Sequence, residues 1–110
     1  MSYQNTIIIG NVGGEVTTRF TQSGKQAANF NVAVNEKFGE EMQTTWFRVV
    51  AWEKLAEIAA DHIVKGQLLL VEGRITAEKW TDQQGSTQVA LRITANNLRM
   101  LGGKPEVAEG

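Results

Sequence analysis

Apolar and polar residues alternate most cleanly between Gln26 and Lys37. Ala28, Phe30, Val32 and Val34 fall on one side, and Asn29, Asn31 and Asn35 on the other. A period of two is that of a strand with one face buried. The same period runs from Thr44 to Trp52, where Phe47, Val49 and Ala51 share one face and Trp46, Arg48, Val50 and Trp52 the other. Upstream, Asn5 to Val12 reads as a strand through Ile7-Ile8-Ile9. Gly10, Gly13 and Gly14 puncture its far end, which predicts a bulge or bend. Glu15 to Thr21 continues extended, and Gln22-Ser23-Gly24-Lys25 is a turn. Phe38 to Gln43 reads as a polar hairpin loop.

From Glu53 to Lys65 the period changes. Leu55, Ile58, Ala59, His62 and Ile63 recur at helical spacing, with Glu53, Lys54, Glu57, Asp61 and Lys65 opposite. Gly66 stands where a helix C-cap belongs. Gln67 to Thr76 returns to strand. Glu78 to Thr81, the turn Asp82-Gln83-Gln84-Gly85 and Ser86 to Ile93 form a long hairpin, and Leu98 to Leu101 is the last strand. The order is strand, strand, strand, helix, strand, strand. It predicts an all-β fold: a five-stranded OB-fold barrel with one α-helix between the third and fourth strands. The domain is expected over residues 1–103, with 104–110 a short extension or the start of a linker.

Composition narrows the classes. A chain of 110 residues fits one domain, and the absence of cysteine excludes disulfides and thiolate metal sites. No apolar run approaches a membrane span, and Met1 to Asn5 has no signal-peptide character, so a cytoplasmic location is expected. A single histidine, His62, argues against metal or triad chemistry; it reads as structural. Gly10-Asn11-Val12-Gly13-Gly14 lacks the Lys-Ser/Thr ending of a phosphate loop, and Glu40-Glu41 are a poor acid/base pair. No enzyme activity, cofactor or metal is expected.

Candidate chemistry lies in the third strand. Trp46, Arg48 and Trp52 are separated by even numbers of positions and so share a face, at intervals of roughly 7 and 13 Å. Stacked bases need flat apolar partners and phosphates need cations, and a Trp–Arg–Trp stripe supplies both. An exposed pair of tryptophans otherwise marks a subunit interface, or the pair belongs to the core. Phe38 and Trp80 add aromatics in hairpins. Arg19, Lys25, Lys37, Arg48, Lys54, Lys79 and Arg92 are candidate phosphate contacts. Arg74 and Arg99 suit these or interface ion pairs equally. The net charge of −1 is unusual for a nucleic-acid binder. Segregating the acidic helix from the cationic strands would reconcile the two.

Ile9-Gly10-Asn11-Val12-Gly13, Ala28-Asn29-Phe30, Thr45-Trp46-Phe47-Arg48-Val49-Val50 and Lys54-Leu55-Ala56-Glu57 resemble segments of the bacterial single-stranded DNA-binding proteins. Lys65-Gly66, Val71-Glu72-Gly73 and Lys79-Trp80-Thr81-Asp82 extend the resemblance, which runs in order from about residue 5 to Leu101. It implies a homotetramer of OB-folds with single-stranded DNA wrapped outside, serving replication, recombination and repair in the bacterial nucleoid. It implies base stacking at Phe38, Trp46, Trp52 and Trp80, and subunit contacts at Ile7, Ile9 and Phe47. Phe47 stands where many members have histidine, and Ala77-Glu78 where a more basic sequence is common. Glu78 is therefore expected to weaken phosphate contact in its hairpin. The family's linker and acidic tip, which recruit replication and repair proteins, have no counterpart before Gly110. A primosome-type OB-fold adaptor is the alternative reading.

Overall fold

The computed structural model describes residues 1–102. The expected extension 104–110 lies outside the described residues. The elements are β1 (Thr6–Val12), β2 (Thr17–Phe20), β3 (Gln26–Phe38), β4 (Glu41–Trp52), α1 (Lys54–His62), β5 (Leu68–Thr81) and β6 (Thr87–Leu101). β1 and β2 are the two parts of the expected first strand, interrupted between Gly13 and Val16.

The sheet runs β1-β5-β6-β4-β3-β2, and a further β1–β3 pairing closes it into a barrel. Asn11 is the joint, because it faces Leu68 on one side and Ala33 on the other. Gly10 makes that approach possible. A β-carbon there would collide with the Ala33 carbonyl oxygen and stand 2.9 Å from Val32 Cγ1. β4 and β6 pair in parallel, Phe47–Val50 beside Leu91–Thr94, and the remaining pairings are antiparallel. The β5–β6 register shifts between Glu72 and Gly73, which pair with Asn97 and Ala95, so Asn96 of β6 is the extra residue of a bulge, the local bend by which a long strand can curl round a small barrel. This is the five-stranded OB-fold expected from the element order.

The alternation seen in β3 and β4 builds the interior. Phe30 pairs with Val49, Ala28 with Ala51, and Val49 in turn with Ile93. Val32, Val49, Leu69, Val71 and Ile93 are fully buried in one core. Each such side chain stabilises the fold by about 1.5–3 kcal/mol relative to exposure. α1 adds Ala56 and Ala59 to the same core, with Ile63 just beyond its end. Alanines at these positions let the helix backbone come close to the barrel.

Four local expectations need correction. The Phe38–Gln43 loop is a two-residue turn: Phe38 pairs with Glu41, and Gly39 alone of the two central residues takes positive φ. That is the pattern of a II′ hairpin turn, whose twist matches its strands. Gly66 does not cap α1, which ends at His62 with Ile63 as its C-cap, three residues before Gly66. Its φ of 89° instead serves the turn Val64–Gln67, and its N–H donates to the Val12 carbonyl at 2.7 Å. His62 is exposed rather than on the packed side, because Ala56, Ala59 and Ile63 take the buried positions. Finally, β6 runs unbroken through Asn96 and Asn97, so the hairpin and the last strand are one element.

Candidate nucleic-acid interface

The outer face of the barrel is set by strand alternation around β4. Across the sheet, Asn31 lies beside Arg48 and Arg48 beside Arg92. One row further, Asn29 lies beside Val50 and Val50 beside Thr94. Arg19, Ala27 and Trp52 form a third row through β2, β3 and β4. The pleat therefore turns a linear pattern into a surface of amides, guanidinium groups and indoles.

Trp46 is 55% exposed and Trp80 46%, and Phe38 at the tip of the β3–β4 hairpin is 54% exposed. Trp52 is half-buried beside Ala27. The Arg48 guanidinium stands 6.0 Å from the centroid of the Trp80 ring, within cation–π range. This contact links the stripe on β4 to the β5–β6 hairpin. Arg19, Asn29, Arg48, Val50, Glu78 and Arg92 line one shallow hollow of about 170 Å³. A second hollow beside Trp46 is lined by Asn31, Thr44, Arg48 and Val89 among others.

Not every candidate cation joins this surface. Lys25 and Lys54 line a separate depression where the β2–β3 turn meets α1. Lys37 is exposed one residue before Phe38. Lys79 alternates to the opposite side of β5 from Glu78 and Trp80. Phe20 was not singled out from the sequence. It is 67% exposed and lines the Lys25/Lys54 depression, and an aromatic next to Arg19 in an extended segment was the available signal.

The long hairpin is organised by Asp82. Its Oδ1 accepts from the N–H groups of Ser86 at 2.9 Å and Gln84 at 3.0 Å, and its Oδ2 from Gln88 Nε2 at 3.0 Å. These bonds, that from Ser86 first, hold its carboxyl below the usual carboxylate range. The turn thereby fixes the strand that carries Trp80.

The candidate subunit residues also come together. Ile7 and Ile9 are half exposed on β1, and with Val34, Thr45 and Phe47 they line one groove.

A closed OB barrel with an exposed aromatic–guanidinium face is the architecture of an oligonucleotide- or oligosaccharide-binding module. Residues 3–101 match the single-strand binding protein family, and the chain belongs to that family. It is 36% identical over 115 residues to a single-stranded DNA-binding protein of Neisseria meningitidis. That alignment covers 100% of this chain and 66% of the relative, so the chain spans just under two thirds of the relative's length. Two solved structures share the fold. The small single-stranded DNA-binding protein of Streptomyces coelicolor superposes with a TM-score of 0.80 at 23% identity, over 91% of this chain and 95% of that one. The Plasmodium falciparum protein, solved in complex with single-stranded DNA, gives 0.79 at 24% identity, over 93% and 97%.

Proposed function

We propose that this chain binds single-stranded DNA without sequence preference, stacking bases on Trp46, Trp80, Phe38 and Trp52 and pairing phosphates with Arg48, Arg92 and Arg19. The observation that carries the reading is the outer face of β4. There an exposed indole, an exposed guanidinium and the ring of Trp80 follow one another across the surface. Every base has a π-face, so such a platform tolerates any sequence. Lys37, beside Phe38, would meet the strand as it leaves the platform, and Lys25, Lys54 and Lys79, which lie off this face, would meet it on a longer path around the barrel. The groove of Ile7, Ile9 and Phe47 suits a second copy of the chain, and the proposed assembly is a homotetramer. Protection of single strands during replication, recombination and repair follows from such binding.

The test is a titration with oligo-dT followed by tryptophan fluorescence, with a duplex of equal length as control, at several salt concentrations. Strong quenching by the single strand alone, with affinity falling as salt rises, supports the reading. No quenching, or an equal response to duplex, overturns it.

A further inference from the structure

Among the described residues the ion pairs converge on one carboxylate. Glu78 stands 2.8 Å from Arg92 and 3.9 Å from Arg48. The two arginines are direct neighbours across the parallel β4–β6 pairing. Like charges placed so repel, and a carboxylate between them offsets that repulsion. None of the three is sealed off: the side chains of Arg48, Arg92 and Glu78 are 61%, 35% and 34% exposed. The hollow they share with Arg19 and Asn29 opens on the face that carries Trp46 and Trp80. Glu78 reaches it because it alternates on β5 with Trp80, so both side chains leave the same side of the strand. Arg92 is incompletely partnered, since its buried Nε has no hydrogen-bond acceptor.

Resting on the single-strand reading above, we infer that Glu78 is a built-in competitor for the DNA phosphate. Its carboxylate holds the position from which a phosphate would bridge Arg48 and Arg92. Entry of the strand exchanges an internal anion for an external one: the Glu78 carboxylate swings out to water and the phosphate takes its two guanidinium partners. The exchange lowers affinity at this subsite, because one attraction is lost for each gained. It also lowers the salt dependence, because the arginines hold no mobile counterion to release. Glu78 is thus a residue that sets how firmly the platform holds its ligand. It needs no contact with DNA to do so.

The experiment compares the intact chain with Glu78→Gln, which keeps the shape and removes the charge. Asp61→Asn on α1 serves as a control for net charge. Each is titrated with oligo-dT by tryptophan fluorescence from low to high salt, after circular dichroism has checked the fold. Glu78→Gln is expected to bind about threefold to fivefold more tightly at low salt, the scale of one partly exposed ion pair. Its log–log salt slope should steepen by roughly 0.7, the value for one more phosphate neutralised on a single strand. Asp61→Asn should change neither. Should Glu78→Gln misfold, Glu78→Ala removes the same charge and gives the same reading. Unchanged or weaker binding by a folded Glu78 variant, with an unchanged slope, overturns the inference: Glu78 would then orient the arginines rather than block them. Equal gains from Asp61→Asn also overturn it, as a general charge effect. Absence of quenching in the unsubstituted chain overturns the single-strand reading, and this inference with it.

Discussion

The six-membered ring of Trp46 lies directly against Gly13: a β-carbon on Gly13 would stand 2.7 Å from Trp46 Cη2 and closer still to Cζ3. The bend between β1 and β2 therefore serves as a rest for the indole. Gly13→Ala should displace the ring without breaking the barrel. The expected outcome is a shifted tryptophan emission and a loss of about 1 kcal/mol in oligo-dT binding, the low end of the stacking scale. Emission spectra and a titration check both. An unchanged spectrum would mean that the ring does not depend on Gly13.

Removing the platform should separate binding from stability. Trp46→Ala and Trp80→Ala each should cost about 1–3 kcal/mol of binding free energy. Both rings are exposed, so chemical denaturation should move by no more than about 0.5 kcal/mol. Trp52 is half-buried against Ala27, and its truncation should cost about 2 kcal/mol of stability as well. Equal stability losses at all three positions would place Trp46 and Trp80 in the core instead.

Glu53 joins β4 to α1 with φ 56° and ψ −115°, a conformation that L side chains rarely adopt. Its backbone is held at both ends: its N–H donates to the Gln26 carbonyl at 2.8 Å and its carbonyl accepts from Glu57. Glycine meets these angles without the steric cost. Glu53→Gly is expected to raise stability by about 1 kcal/mol, or roughly 4–8 °C in Tm. A lowered Tm would show that the side chain contributes more than the strain costs.

The Asp82 turn should respond to acid in a defined direction. Its folded-state carboxyl is held below the ordinary value of 3.8, chiefly by the Ser86 N–H. The stability it contributes is therefore complete above that value and is lost as pH falls through the lower folded-state value. Amide resonances of Gln84 and Ser86 should stay constant down to about pH 4 and move together below it. Movement centred above the ordinary carboxylate range would contradict this assignment.

The groove of Ile7, Ile9 and Phe47 gives a mass prediction. Ile9→Asp puts a charge on a half-exposed site, which the isolated barrel tolerates and an apolar subunit contact does not. Sedimentation velocity should show a smaller assembly with an unchanged far-ultraviolet spectrum. A mass equal to that of the parent chain would place the subunit contact elsewhere.

Alternation made most of the barrel legible. It separated Phe30 and Val49 from Asn31 and Arg48, and the change of period located α1. It could not show the tight turn at Gly39, because Phe38 to Gln43 is polar enough to pass for a loop. Nor could it show that β4 and β6 lie side by side. Arg48 and Arg92 are 44 positions apart in the chain, and only the parallel register makes them neighbours. Hence each arginine was legible as a cation, whereas their sharing of Glu78 was not. Phe20 and Lys54 meet for a similar reason, through packing of the β2–β3 turn on α1.

The double pairing of Asn11 has a consequence during synthesis. β1 is made first, yet its longest partner is the stretch of β5 from Leu68 to Gly73. At about 5–20 residues per second, the ribosome needs roughly 3–13 s to make the intervening chain. For that interval Ile7, Ile8 and Ile9 have no completed edge to join. In a nascent chain of this fold those three isoleucines therefore stay uncovered until Leu68 to Gly73 emerge, and the arrival of β5, rather than of the strands made before it, decides when they can be sealed.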